Sequence, residues 1–127
     1  MIYDVFANLV VRRAFFDFPP SVNVVRYPAL KPGMLVLDVR KSGRDHRKLL
    51  VVDGEIGFVG GYNIGSAYAT QWRDTHLRVR GPSAWELENA FIDFWNQQRA
   101  PDQPGLPEHG STHWEPSLRV HRTCPRS

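Results

Sequence analysis

The sequence predicts an α/β fold with an irregular C-terminal tail, and three patterns carry the α/β expectation. Lys48–Val52 and Ile56–Val59 are apolar runs separated by Asp53-Gly54-Glu55. Asp-Gly between such runs is a strong hairpin signal. Asp74 to Arg80 alternates, with Thr75, Leu77 and Val79 on one face and Asp74, His76, Arg78 and Arg80 on the other, the period of a strand. Leu87, Ala90, Phe91, Phe94 and Trp95 recur at helical spacing behind Ser83-x-x-Glu86, which fits a capping box and predicts a helix over 83–98.

The other elements follow in order. Residues 2–6 (IYDVF) read as a short strand and 7–17 as a short helix of modest periodicity. Pro19-Pro20 stops that helix. Val22 to Tyr27 reads as a strand, Lys31-Pro32-Gly33 as a turn and Met34 to Val39 as another strand. Lys41 to Asp45 is polar and predicts a loop. Asn63 to Thr70 starts a short helix or stays irregular. Gly81-Pro82 ends the alternating strand, and Pro101 closes the long helix. Residues 100–127 are rich in Pro, Gly, Ser, Arg and His and lack periodicity, so they read as a disordered tail beyond a domain of residues 1–99.

Bulk properties narrow the class. A length of 127 residues suits one domain. Hydrophobic residues make up 42% and charged ones 23%, the composition of a soluble globular protein. A net charge of +3 favours anionic ligands without naming nucleic acid or a membrane. Cys124 is the single cysteine, which excludes an internal disulfide. No apolar run approaches the roughly 20 residues of a membrane span. Met1 to Arg13 has no basic leader or small-residue cleavage site, so it does not read as a signal peptide. A cytoplasmic location, or one peripheral to a membrane, is compatible with these properties.

The chemistry concentrates in RDHRKLLVVDGEIGFVGGYNIG, Arg44 to Gly65. In an extended chain His46, Lys48, Leu50 and Val52 share one face, while Arg47, Leu49, Val51 and Asp53 share the other. His46 and Lys48 then project together from the strand's start, and the following apolar residues sink into the core on both sides. Asn63 follows the returning strand and can come back to the same end. Gly60 and Gly61 allow backbone to approach a ligand closely. Asp53 faces away from His46 and opens the Asp-Gly turn, a structural role.

His46-Arg-Lys48-Leu-Leu-Val-Val-Asp53, six residues, then Gly60-Gly61-Tyr62-Asn63 resembles the His-x-Lys signature of the phospholipase D superfamily. The longer run, with WRDTHLRVRGP and the aromatic helix, is most similar to the N-terminal half of bacterial cardiolipin synthase-like proteins. The resemblance implies one half of a phospholipase D-type domain, a mixed β-sheet flanked by helices. It implies phosphodiesterase or phosphatidyltransferase chemistry without metal or other cofactor. His46 would attack phosphorus and form a phosphohistidine. Lys48 and Asn63 would hold the non-bridging oxygens. Asp74 would orient His46, and a second histidine would serve as general acid. The phosphodiester substrate would be a phospholipid, with nucleic acid as the rival.

The family uses two signature copies, and this sequence has one. A symmetric homodimer, or another partner, would supply the second half-site. The non-enzymatic alternative is an inert truncated remnant of a two-signature enzyme. Other residues carry plainer expectations. His76 reads as structural. Trp72, Trp85, Phe91, Phe94 and Trp95 read as core or inter-subunit packing. Arg119, Arg122 and Arg126 read as solvated charges. His109-x-x-x-His113 with Cys124 lacks a fourth ligand, so no metal site is assigned.

Overall fold

The computed structural model describes residues 1–9, 11–27, 45–63 and 66–110. The expected strand at Met34–Val39, the turn before it and nearly all of the loop after it lie outside the described residues. The fold is mixed α/β, with parallel and antiparallel pairings distributed over two sheets. Two compact units are distinguished among the described residues: those up to 46 together with 95–105 form one, and those from 47 to 94 together with 106–110 form the other.

In the first unit, β1 (Ile2–Asp4) pairs in parallel with β2 (Val25–Tyr27), Ile2 opposite Val25 and Asp4 opposite Tyr27. Both strands are shorter than their apolar runs predict. The expected helix over 7–17 is instead two 3₁₀ segments, Val5–Leu9 and Arg13–Phe16. Apolar residues there do not recur every third or fourth position for long enough to bury a helical stripe, and short 3₁₀ turns satisfy the backbone instead. Tyr3 stacks on Phe16 with ring centroids 4.6 Å apart. Val25 N–H donates to the Met1 carbonyl at 2.8 Å.

Residues 100–105 have no helix or strand, yet their polar groups meet fixed partners. Trp95, only 2% exposed, donates its indole N–H to the Pro104 carbonyl at 2.8 Å. Gln103 donates through Nε2 to the Val24 carbonyl at 2.9 Å and accepts the Ala100 N–H at Oε1 at 3.0 Å. Arg99 Nη1 donates to the Gln103 carbonyl at 2.6 Å.

In the second unit, β3 (Leu49–Val52), β4 (Ile56–Gly60) and β5 (His76–Arg80) form an antiparallel sheet in that order. The register sets Leu49 opposite Val59 and Val59 opposite Leu77, and likewise Leu50 opposite Phe58 and Phe58 opposite Arg78. The β3–β4 turn is the Asp-Gly turn read from the sequence. Asp53 has φ 53° and Gly54 φ 65°. Positive φ at both central residues is the turn type whose twist matches a hairpin. A short helix α1 (Ser66–Thr70) follows β4, and Gln71 and Trp72 N–H groups both donate to the Ala67 carbonyl.

The long helix α2 (Ser83–Gln98) starts and ends where the sequence places it. Ala84, Leu87, Ala90, Ile92 and Trp95 are its buried residues. The helix packs on one face of the sheet, and Gly57 shows how closely: a Cβ added there would lie 2.5 Å from Leu87 Cδ1. Leu49, Val51, Val59, Leu77 and Val79 share that face by register. The expectation that β3 is buried on both faces is corrected. Leu50 is 58% and Val52 40% exposed, whereas Leu49 and Val51 are half-buried. One buried face is the usual arrangement for an antiparallel sheet, and it is what β3 adopts.

Candidate functional site

Antiparallel register brings three chain segments to one end of the β3–β4–β5 sheet. β3 begins there, β4 ends there and β5 begins there. Lys48 immediately precedes β3, and its carbonyl accepts the Gly60 N–H at 3.3 Å. Gly60 is in turn opposite His76. Lys48, Gly60 and His76 therefore form one row across the sheet. By alternation their side-chain directions share a face, with adjacent strands about 4.8 Å apart. Gly60 contributes no side chain, and His76 closes over it: a Cβ added there would lie 2.7 Å from His76 Nδ1.

The glycine pair has a reason that the sequence does not reveal. A Cβ on Gly60 would overlap the Thr75 carbonyl and lie 2.8 Å from His76 Cα. A Cβ on Gly61 would overlap the Asp74 carboxylate. The sequence reading has these glycines admit a ligand; in the structure the neighbour that comes close to them is the start of β5 with the residues just before it. Asp74 Oδ1 also accepts the Thr75 N–H at 2.7 Å. The carboxylate is thereby set against the end of β4.

Asn63 lies three residues beyond β4 and is exposed. Its Nδ2 donates to the Tyr68 hydroxyl at 2.7 Å. Tyr68 stands on α1, its ring edge-on to Trp72 at 5.0 Å and to Tyr62 at 6.3 Å. Tyr62 lies 5.5 Å from the His76 ring, which is 6.5 Å from Phe58. Trp72 is 60% exposed, so the expectation that it is packed in a core is corrected within this chain. It has a wet edge and a ring partner.

Of the four residues read as catalytic, Lys48, Asn63 and Asp74 gather at this end of the sheet in the second unit. His46 is the last residue of the first unit and is exposed. Asp53 is at the other end of the hairpin, in the turn. Lys48, Asn63, Asp74 and His76 bring an amine, a carboxamide, a carboxylate and an imidazole to one end of the sheet, all within the second unit. Such donors suit a phosphoryl oxygen, and the acid–base pair suits proton handling.

The residues that sequence reasoning missed are Tyr68, Tyr62 and the alignment of His76 with Lys48. The Asp-Gly turn fixes the β3–β4 register and so sets Lys48 beside Gly60, but the β4–β5 register that sets His76 beside Gly60 has no such local signal. Nothing in the sequence signals the Asn63–Tyr68 bond. No group of three or more His, Cys, Asp or Glu residues able to hold a metal occurs among the described residues. His109 is engaged elsewhere: Nε2 is 2.6 Å from Glu88 Oε2, and the ring stacks on Trp85 at 5.2 Å. His113 and Cys124 lie outside the described residues.

The architecture, with His-x-Lys feeding β3 and Gly-Gly-x-Asn leaving β4, is consistent with a partial phospholipase D-type domain. Comparison with known proteins makes the relationship specific. The chain is 36% identical over 103 residues to a cardiolipin synthase of Listeria innocua, covering 76% of this chain and 21% of that protein. It is equally similar to a cardiolipin synthase of Listeria monocytogenes, 36% over 103 residues with the same coverage. It is 37% identical over 103 residues to cardiolipin synthase 1 of Staphylococcus aureus, covering 77% of this chain and 21% of the relative. The chain is therefore cardiolipin synthase-like and related to the phospholipase D superfamily. It spans about a fifth of the length of these relatives. No family model matches the chain. No solved structure matches it either.

Proposed function

We propose that the chain provides one half-site of a phosphodiesterase or phosphatidyltransferase that works through a phosphohistidine. The observation that supports this best is the gathering of Lys48, Asn63 and Asp74 at one end of the sheet, in a chain whose relatives are named cardiolipin synthases. His46 Nε2 attacks phosphorus, and the bond from phosphorus to the leaving oxygen breaks. Lys48 and Asn63 hold the non-bridging oxygens, where negative charge builds in the transition state. Asp74 orients the His46 ring and supports its positive charge. A histidine from a second half-site protonates the leaving alkoxide. Water or an alcohol then attacks the phosphohistidine. Its proton passes to that second histidine, and the N–P bond breaks. The second half-site comes from a second copy of the chain or from another partner.

The substrate proposed is a phospholipid. No helix among the described residues is long and apolar enough to cross a membrane. The experiment measures solution mass together with turnover of a chromogenic phosphodiester, phosphatidylglycerol and single-stranded DNA. The proposal expects a dimer or a partner-dependent complex that consumes the lipid and loses activity in His46→Ala. Turnover of DNA alone would replace the lipid reading with a nuclease. A monomer inert on every diester would leave only kinship.

A further inference from the structure

The geometry points to Tyr68 as a positioning residue for Asn63, fixing which way the carboxamide faces and so aiming one of its N–H groups at a phosphoryl oxygen. This rests on the proposed role of Asn63 as an anion holder and names the residue that makes that role precise. A carboxamide has two N–H donors on one side and a carbonyl acceptor on the other, and rotation by half a turn exchanges them. An exposed asparagine past the end of a strand has no intrinsic preference between the two. At an anion site the wrong orientation presents a carbonyl oxygen to a negative charge.

A phenol hydroxyl both donates and accepts, and in this structure Tyr68 accepts from the nitrogen end of Asn63. Asn63 Nδ2 donates to the Tyr68 hydroxyl at 2.7 Å. One N–H is thereby used, and the other is left on the same nitrogen, directed away from Tyr68. The hydroxyl is itself held, because its ring sits between two others. Tyr62 meets it at 6.3 Å with planes 74° apart, and Trp72 at 5.0 Å with planes 65° apart. Edge-to-face contacts of this kind resist ring displacement. Trp72 follows α1 directly, and its N–H is tied to the Ala67 carbonyl at 2.8 Å, so the brace is anchored on the helix that carries Tyr68. Tyr62, on the other side, precedes Asn63 in the chain. The chain leaving β4 is thus braced against α1 on both sides of the bond.

The test uses the full chain and the variants Tyr68→Phe, Asn63→Ala, the double variant and Tyr62→Phe. Tyr68→Phe keeps the ring and removes only the hydroxyl. Tyr62→Phe removes a hydroxyl from the same brace that does not bond Asn63. Two readouts are taken: the side-chain ¹⁵N–¹H₂ pair of Asn63 by NMR, and the affinity for tungstate, a phosphoryl mimic. Far-UV circular dichroism confirms that each variant is folded.

In the wild type, one Asn63 side-chain proton should be shifted and slow to exchange. Tyr68→Phe should collapse that difference and weaken tungstate binding about 2- to 10-fold, the range of a single hydrogen bond. Tyr62→Phe should do neither. Asn63→Ala should weaken binding, and adding Tyr68→Phe to it should change nothing further, since Tyr68 acts through Asn63. An unchanged Asn63 resonance pair in Tyr68→Phe, or losses that add in the double variant, would overturn the positioning role alone. Tungstate affinity indifferent to Asn63→Ala, or absent in the wild type, would overturn the anion-holding role of Asn63, and the positioning role with it.

Discussion

The β3–β4–β5 sheet and the β1–β2 pair solve the same problem in opposite ways. The first is a ladder of neighbours: a three-residue connection built on Asp53-Gly54 joins β3 to β4, and β5 returns after one short helix. The second pairs three residues with three others more than twenty positions away, in parallel. Parallel strands need a crossover, and this crossover is made of 3₁₀ turns and coil. Its support comes from far along the chain, where Gln103 bonds the Val24 carbonyl and Trp95 bonds Pro104. The contrast teaches where precision is spent. The rim that gathers Lys48, Asn63 and Asp74 stands on the ladder whose register is set locally and tightened by three glycines. The parallel pair relies on long-range ties and tolerates shorter strands.

The largest expected effect sharpens this contrast. Trp95→Ala removes a buried indole and its bond to Pro104, and should cost about 3–5 kcal/mol in urea denaturation. Hydrogen exchange should show β1–β2 losing protection before β3–β4–β5. Equal loss in both sheets would break the distinction drawn here. Next comes Gly60→Ala, whose Cβ would meet the β5 backbone at Thr75 and His76. Backbone cannot step aside as a side chain can, so about 1–3 kcal/mol is expected. Gly61→Ala is the control. Its Cβ meets the Asp74 carboxylate, which can swing away, so stability should fall less while the carboxylate is displaced. A Gly61→Ala cost equal to that of Gly60→Ala would show that Asp74 is held more rigidly than its exposure implies.

Gly54→Ala should cost about 1 kcal/mol, because a side chain at φ 65° is strained. Asp53→Asn, in contrast, should leave stability within about 0.5 kcal/mol, since asparagine tolerates positive φ. The smallest effect is expected at Phe15, which is 55% exposed beside Phe16. Phe15→Ser should also stay within about 0.5 kcal/mol in thermal unfolding. A larger loss would mean that the first unit depends on that ring more than its exposure allows.

How much could be read from the sequence follows the same divide. The hairpin, the alternating strand and the long helix were legible because period 2, period 3.6 and an Asp-Gly turn are local signals. Val22 to Tyr27 looked like six residues of strand, but pairing with Ile2–Asp4 leaves only Val25–Tyr27 in the ladder. Partner length, which no local pattern records, set the limit. Leu50 and Val52 misled because an apolar residue in a strand says nothing about whether anything covers it. At the rim, the spacing of Lys48, Asn63 and Asp74 was legible, and register explains why such distant positions meet. The tight fit of Gly60 and Gly61 against β5 was not, and neither was Tyr68. Both depend on which segment returns to the end of β4, a fact of tertiary structure.

The proposed function requires that the His46 imidazole become covalently phosphorylated while Lys48 and Asn63 hold the phosphoryl oxygens. The direct measurement is intact mass after denaturing, alkaline quench during turnover of a phosphodiester, with peptide mapping of the adduct. The account predicts a phosphoryl adduct on His46, absent from His46→Ala and much reduced in Lys48→Ala and Asn63→Ala. Undiminished turnover by His46→Ala, or an adduct mapped to another residue of this chain, would contradict it.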